Sequence, residues 1–173
     1  MRVLLAITDQ DFYPDQPPKP LSGFRIRNTA RAIVMNDQGQ VALLHSTVHN
    51  THKLPGGGIE EGEDIAMALQ RELVEEMGSI AMVTAEVGIV NEYRGRTKLH
   101  QLSRCFLARQ SGPFTAPSLT GEEETLGMEI VWADSLDAAL ELVKADTPPD
   151  YPGHFIRRRE LAFLEAAKSM LAH

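Results

Sequence analysis

Glu72, Glu75 and Glu76 stand at i, i+3 and i+4. On a helix of 3.6 residues per turn these positions fall within about a 100° arc, so three carboxylates share one side. Like charges at i, i+4 disfavour a helix by a few tenths of a kcal/mol, and a divalent cation removes that penalty. Hard cations take carboxylate and carbonyl oxygens, and magnesium combines a few carboxylates with substrate phosphates. Just upstream, Gly56-Gly57-Gly58 supplies backbone that can come close to a metal or a phosphate. Three glutamates alone also suit a solvated helix face; the glycine loop beside them points to metal-assisted chemistry on phosphate.

The complete pattern is Gly57-x5-Glu63-x7-Arg71-Glu72-Leu73-x-Glu75-Glu76-x-Gly78, spanning 22 residues. Seven of its positions admit one residue type, and at roughly 7% usage each a chance match is on the order of 10⁻⁸ per starting point. This pattern resembles the signature of the Nudix hydrolase family. The Ala30–His45 hairpin ahead of the loop and Trp132-Ala133-Asp134 near the end are similar to family members as well. One departure is Ser79, followed by Ile80, where the family usually has an aliphatic residue after the final glycine.

The resemblance implies a Nudix-type α/β/α sandwich around a mixed β-sheet. It also implies hydrolysis of a diphosphate bond in a nucleoside diphosphate linked to another group, with Mg2+ (or Mn2+) as cofactor. Carried over by position, Glu72, Glu75 and Glu76 are expected metal ligands with the Gly56 carbonyl beside them. Gly57 and Gly58 are expected at the substrate, and Glu63 and Arg71 are expected to tie the loop to the helix. A carboxylate from outside the motif often serves such enzymes as base. Glu122-Glu123-Glu124 occupies the place for it, Glu123 being preferred, with Glu92 a weaker competitor and Glu72 the next choice if the loop does not supply it. A non-catalytic, Nudix-like nucleotide-binding sensor is the alternative, but such a module would most cheaply lose Glu75 or Glu76. An isoprenoid diphosphate isomerase would need Cys105 in a pocket with a glutamate partner, and its mid-strand setting gives it none.

Other residues have two readings. Arg25, Arg27 and Arg31 precede or enter the first hairpin strand, and Arg27 is the candidate phosphate contact through its planar fork. Arg94 and Arg96 flank a turn. Arg157-Arg158-Arg159 reads as a solvated or subunit-contact face. His49-x-x-His52 looks like half a zinc site without a third ligand. Phe24, Tyr93 and Trp132 could stack on a base, or lie in the core.

These residues need a frame to position them. Residues 1–8 read as a strand and 14–20, with Pro14, Pro17, Pro18 and Pro20, as a loop or arm. Thr29–Met35 and Val41–His45 read as a hairpin around Asn36–Gln40. Residues 46–62 read as a long functional loop, and Asp64–Met77 as a helix with Ala66, Leu69, Leu73 and Met77 on its buried stripe and Gly78 as its stop. Strands follow at 82–93 and 99–108, a loop at 110–127, a strand at Met128–Trp132 and a helix capped by Asp134 or Ser135 through about Lys144. The last helix is expected over 154–172, with Ile156, Phe163, Leu164, Ala167, Met170 and Leu171 on one side. Strands interleaved with helices make an α/β layered fold.

The chain has 173 residues, 19.1 kDa and a formal charge of −7. That length suits one domain over 1–173, with residues 1–24 forming an N-terminal strand and Pro-rich arm. An acidic chain does not coat nucleic acid by bulk charge, yet a local site can still take a small phosphorylated substrate. Cys105 has no partner for a disulfide and reads as a core residue. No window is long enough to span a membrane, and Val3–Ile7 is too short for a signal segment, so the expectation is a cytoplasmic protein. The Pro-rich arm and the last helix are the segments expected at a homodimer contact.

Overall fold

The computed structural model describes residues 1–172, so residue 173 of the expected domain lies outside it. The strands are β1 (Val3–Thr8), β2 (Arg25–Met35), β3 (Val41–Ser46), β4 (Thr51–Lys53), β5 (Gly56–Gly58), β6 (Ile80–Arg94), β7 (Leu99–Ser111) and β8 (Met128–Ala133). The helices are α1 (Ile65–Met77), α2 (Gly121–Thr125), α3 (Leu136–Ala145) and α4 (Tyr151–Leu171). One sheet runs β1-β6-β7-β2-β3-β4, with β5 added on β2 and β8 on β3. It is mixed: β1–β6 and β2–β7 are parallel, the remaining pairs antiparallel.

Alternation along β2 sends successive side chains to opposite faces. Ala30, Ala32 and Val34 pack with Leu69, Leu73 and Met77 of α1. Ile33 joins the other layer, with Val90, Cys105, Phe155, Phe163 and Leu164. The sheet is thus held between α1 and the α3–α4 pair, which is the α/β/α sandwich the resemblance implies. Beside β2, β3 is bonded only at Met35↔Val41, while β5 takes the same edge at Thr29–Arg31. That gap admits the glycine segment into the sheet.

Several sequence expectations are corrected. The 46–62 segment is not a plain loop but contains β4 and β5, each three residues long and without the alternation that marks a strand. The 110–127 segment contains α2. On α1 the buried residues are Ala68, Leu69, Leu73, Glu76 and Met77, and Ala66 is exposed. Ile65, not Ala66, completes the buried stripe: it packs with Leu69, Leu73 and Met77 at i+4 steps. α4 starts at Tyr151 instead of 154, because Asp150 accepts the Gly153 amide at 2.8 Å and Pro152 suits a first turn. Met170 and Leu171 are exposed, since the end of α4 runs beyond its partners.

The arginine run on α4 is not one solvated face: Arg158 is exposed, but its neighbours turn inward. Arg159 is 1% exposed and binds Glu92 at 2.8 Å and Glu160. Glu92 also accepts from Arg94 Nε at 2.7 Å and Gln101 at 3.3 Å. Burial alone would raise the Glu92 carboxyl, but the charges of Arg159 and Arg94 outweigh it and hold it low. Glu92 is therefore spoken for and does not compete as a base. Arg157 donates to the Val143 and Lys144 carbonyls and fastens α4 to the end of α3. The arm packs on α4 as well: Phe12 meets Phe155 edge-on at 4.9 Å, and the Arg96 guanidinium lies 4.3 Å and 4.6 Å from the Tyr13 and Tyr151 ring centres. No described helix is long and apolar enough to cross a membrane.

Candidate active site

The glycine segment folds onto β2 because nothing larger fits there. Gly56 has φ +121°, and a Cβ on it would lie 2.2 Å from the Ala30 carbonyl oxygen. A Cβ on Gly57 would lie 2.2 Å from the Glu72 carboxylate. Glu72 therefore rests directly against bare backbone, the close approach that a glycine alone allows. Beyond the segment, Asp64 caps α1 by accepting the Met67 amide at 2.8 Å. Gly78 ends the helix in the left-handed conformation, φ +63°.

α1 brings its three glutamates to this segment at different depths. Glu76 is 2% exposed and accepts the Gly56 amide at 2.6 Å. Burial pushes its carboxyl up to about 7, against the pull of Lys53, Arg31 and the Gly56 amide. Glu72 and Glu75 share Arg71, whose Nη1 lies 3.0 Å and 3.3 Å from them. Arg71 also grips Glu63 with both arms, at 2.7 Å and 2.9 Å, and the Gly58 carbonyl at 3.0 Å. Its hydrogen bonds hold the Glu63 carboxyl down at about 2. Glu63 and Arg71 thus join the far end of the glycine segment to α1.

The fourth carboxylate comes from α2. Thr120 and Glu123 form a reciprocal cap, and the Glu123 side chain accepts from the Thr120 amide at 2.9 Å. This turns Glu123 inward, to the same Lys53 that Glu76 meets, while Glu122 and Glu124 stay exposed. Burial alone would raise Glu123, but the Thr120 bonds, Glu76 and Lys53 bring it below its ordinary value. The two shifts run in opposite directions. Lys53 Nζ stands beside both, 3.3 Å from Glu76 and 3.7 Å from Glu123.

Arg27 lies over Gly58: its Nη2 would be 3.5 Å from a Cβ there. Arg27 remains exposed; partial desolvation and the charges of Arg94, Arg159 and Arg25 lower its pKa, and an anion at this place would relieve that repulsion. Arg31, grouped with it by sequence, is buried and turned to the carbonyls of Leu54 and Gly56. Tyr93 stacks on His100 at 4.4 Å; with Phe24 it lines a cavity of about 230 Å³ beneath Pro18 and Leu21. Trp132 packs beside the α1 layer and meets Phe114 edge-on. His52 does not pair with His49. It binds Asp146 at 2.9 Å and stacks on His45. Cys105 is buried, and burial raises its thiol, which leaves it no role as a nucleophile.

Sequence reasoning missed Lys53, and it grouped Arg31 with Arg25 and Arg27 without a role of its own. Lys53 sits one residue before the Leu54-Pro55 turn in a strand too short to show a period. Arg31 did leave a signal: a charged residue between Ala30 and Ala32, in the half of β2 whose other residues, Ala30 and Ala32–Met35, are apolar. Among the described residues no three His, Cys, Asp or Glu side chains already surround one point, because Arg71 and Lys53 stand between the carboxylates. The donors themselves fit a hard divalent ion: carboxylate oxygens of Glu72, Glu75 and Glu76 against side-chain-free backbone.

A family model described as NUDIX domain matches residues 25–158. The chain is 30% identical over 115 residues to the 8-oxo-dGDP phosphatase NUDT18 of Mus musculus, covering 62% of this chain and 34% of that protein. It is 35% identical over 81 residues to an RNA pyrophosphohydrolase of Acinetobacter baylyi, covering 47% and 46%. It thus spans between a third and a half of the length of these relatives. The solution structure of the E. coli ORF135 protein superposes with a TM-score of 0.59 over 89% of this chain and 96% of that one, at 23% identity, a likeness of fold.

Proposed function

The chain belongs to the NUDIX domain family, and from that premise we propose that it is a pyrophosphohydrolase cleaving a diphosphate bond in a small nucleotide-type substrate. The observation that carries this reading is Glu123. Lys53 draws this carboxylate from outside the motif and buried Glu76 together, at 3.7 Å and 3.3 Å, an arrangement that a merely solvated acidic face would not build.

Glu72, Glu75 and Glu76, with the Gly56 carbonyl, would hold magnesium or manganese. A metal bound there polarises phosphoryl oxygens and makes water a better nucleophile. The chain's own groups supply the rest. Glu123, ionised and not committed to Arg71, takes the proton of the attacking water, with Glu72 next in line. Arg27 above Gly58 receives phosphate oxygens, and Gly57 and Gly58 let the substrate approach the backbone. Glu63 and Arg71 keep the segment seated on α1. Because two relatives are an 8-oxo-dGDP phosphatase and an RNA pyrophosphohydrolase, oxidised nucleotides and RNA are among the substrates to try.

The test is a phosphate-release screen, with a coupling phosphatase, over nucleoside triphosphates including oxidised ones, ADP-ribose, nucleotide sugars and dinucleoside polyphosphates, with magnesium or manganese. One class should turn over. Glu76→Gln should lower its kcat by about 10³-fold and Glu123→Gln by roughly 10²–10⁴. Turnover unchanged in Glu76→Gln, or none in any class, would overturn the reading. If Glu122→Gln, Glu123→Gln and Glu124→Gln all stay within about threefold of wild type, the base is elsewhere.

A further inference from the structure

Arg31 is paired in register with Gly56 and is only 7% exposed. A buried guanidinium is costly unless its donors are met. Its Nη1 donates to the Leu54 carbonyl at 3.3 Å and to the Gly56 carbonyl, the two carbonyls flanking Pro55. The peptide between is fixed too, since the Pro55 carbonyl accepts the Ala32 amide at 3.0 Å. On its other side Gly56 gives its amide to Glu76 at 2.6 Å. One residue is therefore held at its carbonyl by Arg31 and at its amide by Glu76.

Alternating with Ala30 and Ala32 on β2, Arg31 points to the sheet face that α4 covers. There the charge of Arg159 opposes its cation and that of Glu160 favours it; the two are 1% and 0% exposed. Arg31 Nε and Glu160 Oε2 are both buried with no hydrogen-bond partner among the described residues. Glu160 spends its other oxygen on Arg159, which goes on to Glu92 on β6. A helix outside the signature thus sets both a like charge, Arg159, and a counter-charge, Glu160, in the layer that Arg31 enters.

We propose that Arg31 is a positioning residue for this site: it fixes the Gly56 peptide, and through it the Glu76 carboxylate, and Glu160 on α4 holds Arg31 in that task. The catalytic consequence rests on the hydrolase reading; the structural one does not. Loss of the grip leaves substrate-binding groups such as Arg27 in place but lets the Gly56 peptide and Glu76 drift, and a misplacement of that kind is worth about 10² in rate.

The experiment compares wild type with Arg31→Lys, Arg31→Met and Glu160→Gln. Amide exchange at Gly56 is followed in metal-free protein, and kcat and KM on the substrate found by the screen. Arg31→Met should speed Gly56 exchange at least about tenfold over the change at Ala167 amide in α4. Its kcat should fall about 10²-fold with KM within about threefold. Arg31→Lys keeps the charge but lacks the fork for two carbonyls, so it should recover thermal stability without recovering kcat. Glu160→Gln should shift Gly56 exchange in the same direction. Gly56 exchange at the wild-type rate in the Arg31 variants overturns the proposal whatever the screen finds. Full kcat in Arg31→Lys overturns the catalytic half, and unchanged exchange in Glu160→Gln removes α4 from it. If Arg31→Met does not fold, Arg31→Lys decides on the same readouts.

Discussion

Burial pushes the Glu76 carboxyl up to about 7, from an ordinary value of 4.5 that it regains in the unfolded chain. Between those pH values the folded protein holds a proton that the unfolded chain has lost. This group's contribution to stability therefore falls as pH rises from 4.5 to 7 and levels off above. Glu76→Gln carries no such proton. In chelator-treated samples the wild type should lose ground to Glu76→Gln across that window, by an amount on the order of a kcal/mol or more. Urea midpoints at constant slope read the difference, and a gap that stays flat with pH contradicts the burial argument. The residue types and spacing of Glu72, Glu75 and Glu76 were plain in the sequence. Their unequal roles were not, because depth on a helix face depends on what covers it: β5 and Lys53 lie over Glu76, while Glu75 looks outward.

The same limit shows in the elements. Gly78 and Asp64 mark the ends of α1 by mechanisms that act within a few residues, and both were readable. Ala66 is exposed because the buried stripe runs Ile65, Leu69, Leu73, Met77 in i+4 steps, which leaves Ala66 about 100° round the helix from Ile65. β4 and β5 could not be read, since three residues show no alternation and Gly56–Gly58 has no strand propensity. They exist because β2 leaves an edge for them. Gly78 does more than stop the helix: its carbonyl accepts both Thr115 N at 2.7 Å and Thr115 Oγ1 at 3.0 Å. A Cβ there would lie 1.9 Å from the Thr115 carbonyl oxygen. Gly78→Ala therefore meets backbone strain of roughly 1–3 kcal/mol and must also push the 112–118 segment away. It should lower the urea midpoint by more than Gly62→Ala, where φ is also positive (+85°) but nothing lies within 4 Å. Equal losses would mean that the Thr115 contact adds nothing.

Across the whole molecule, the Glu92–Arg94–Arg159–Glu160 cluster ties α4 to the centre of the sheet. Periodicity held a hint of it: Phe155, Arg159 and Phe163 are spaced i, i+4, i+8, so Arg159 shares the face of two core aromatics. Its neighbours Arg157 and Arg158 hid that by making a run of like residues. Removing one member of a buried pair leaves the others charged and unpaired. Arg159→Met should cost about 3–5 kcal/mol, a large part of a typical stability of roughly 5–15 kcal/mol. Urea unfolding measures it, and a loss under about 1 kcal/mol would show that the cluster relaxes easily.

Cys105 offers a clock for the same event. It is the chain's one thiol, sealed between β7 and the α4 layer at 0% exposure, and its burial suppresses the reactive thiolate. A maleimide or aromatic disulfide added to native protein has nothing else to attack. Colour develops only as fast as molecules open far enough to lift α4 from the sheet. At high reagent concentration the labelling rate becomes the opening rate itself, one mark per molecule, counted without denaturant. Loosening α4 by Arg159→Met should quicken that clock, while Gly78→Ala, on the opposite layer, should quicken it only as far as the whole fold comes apart.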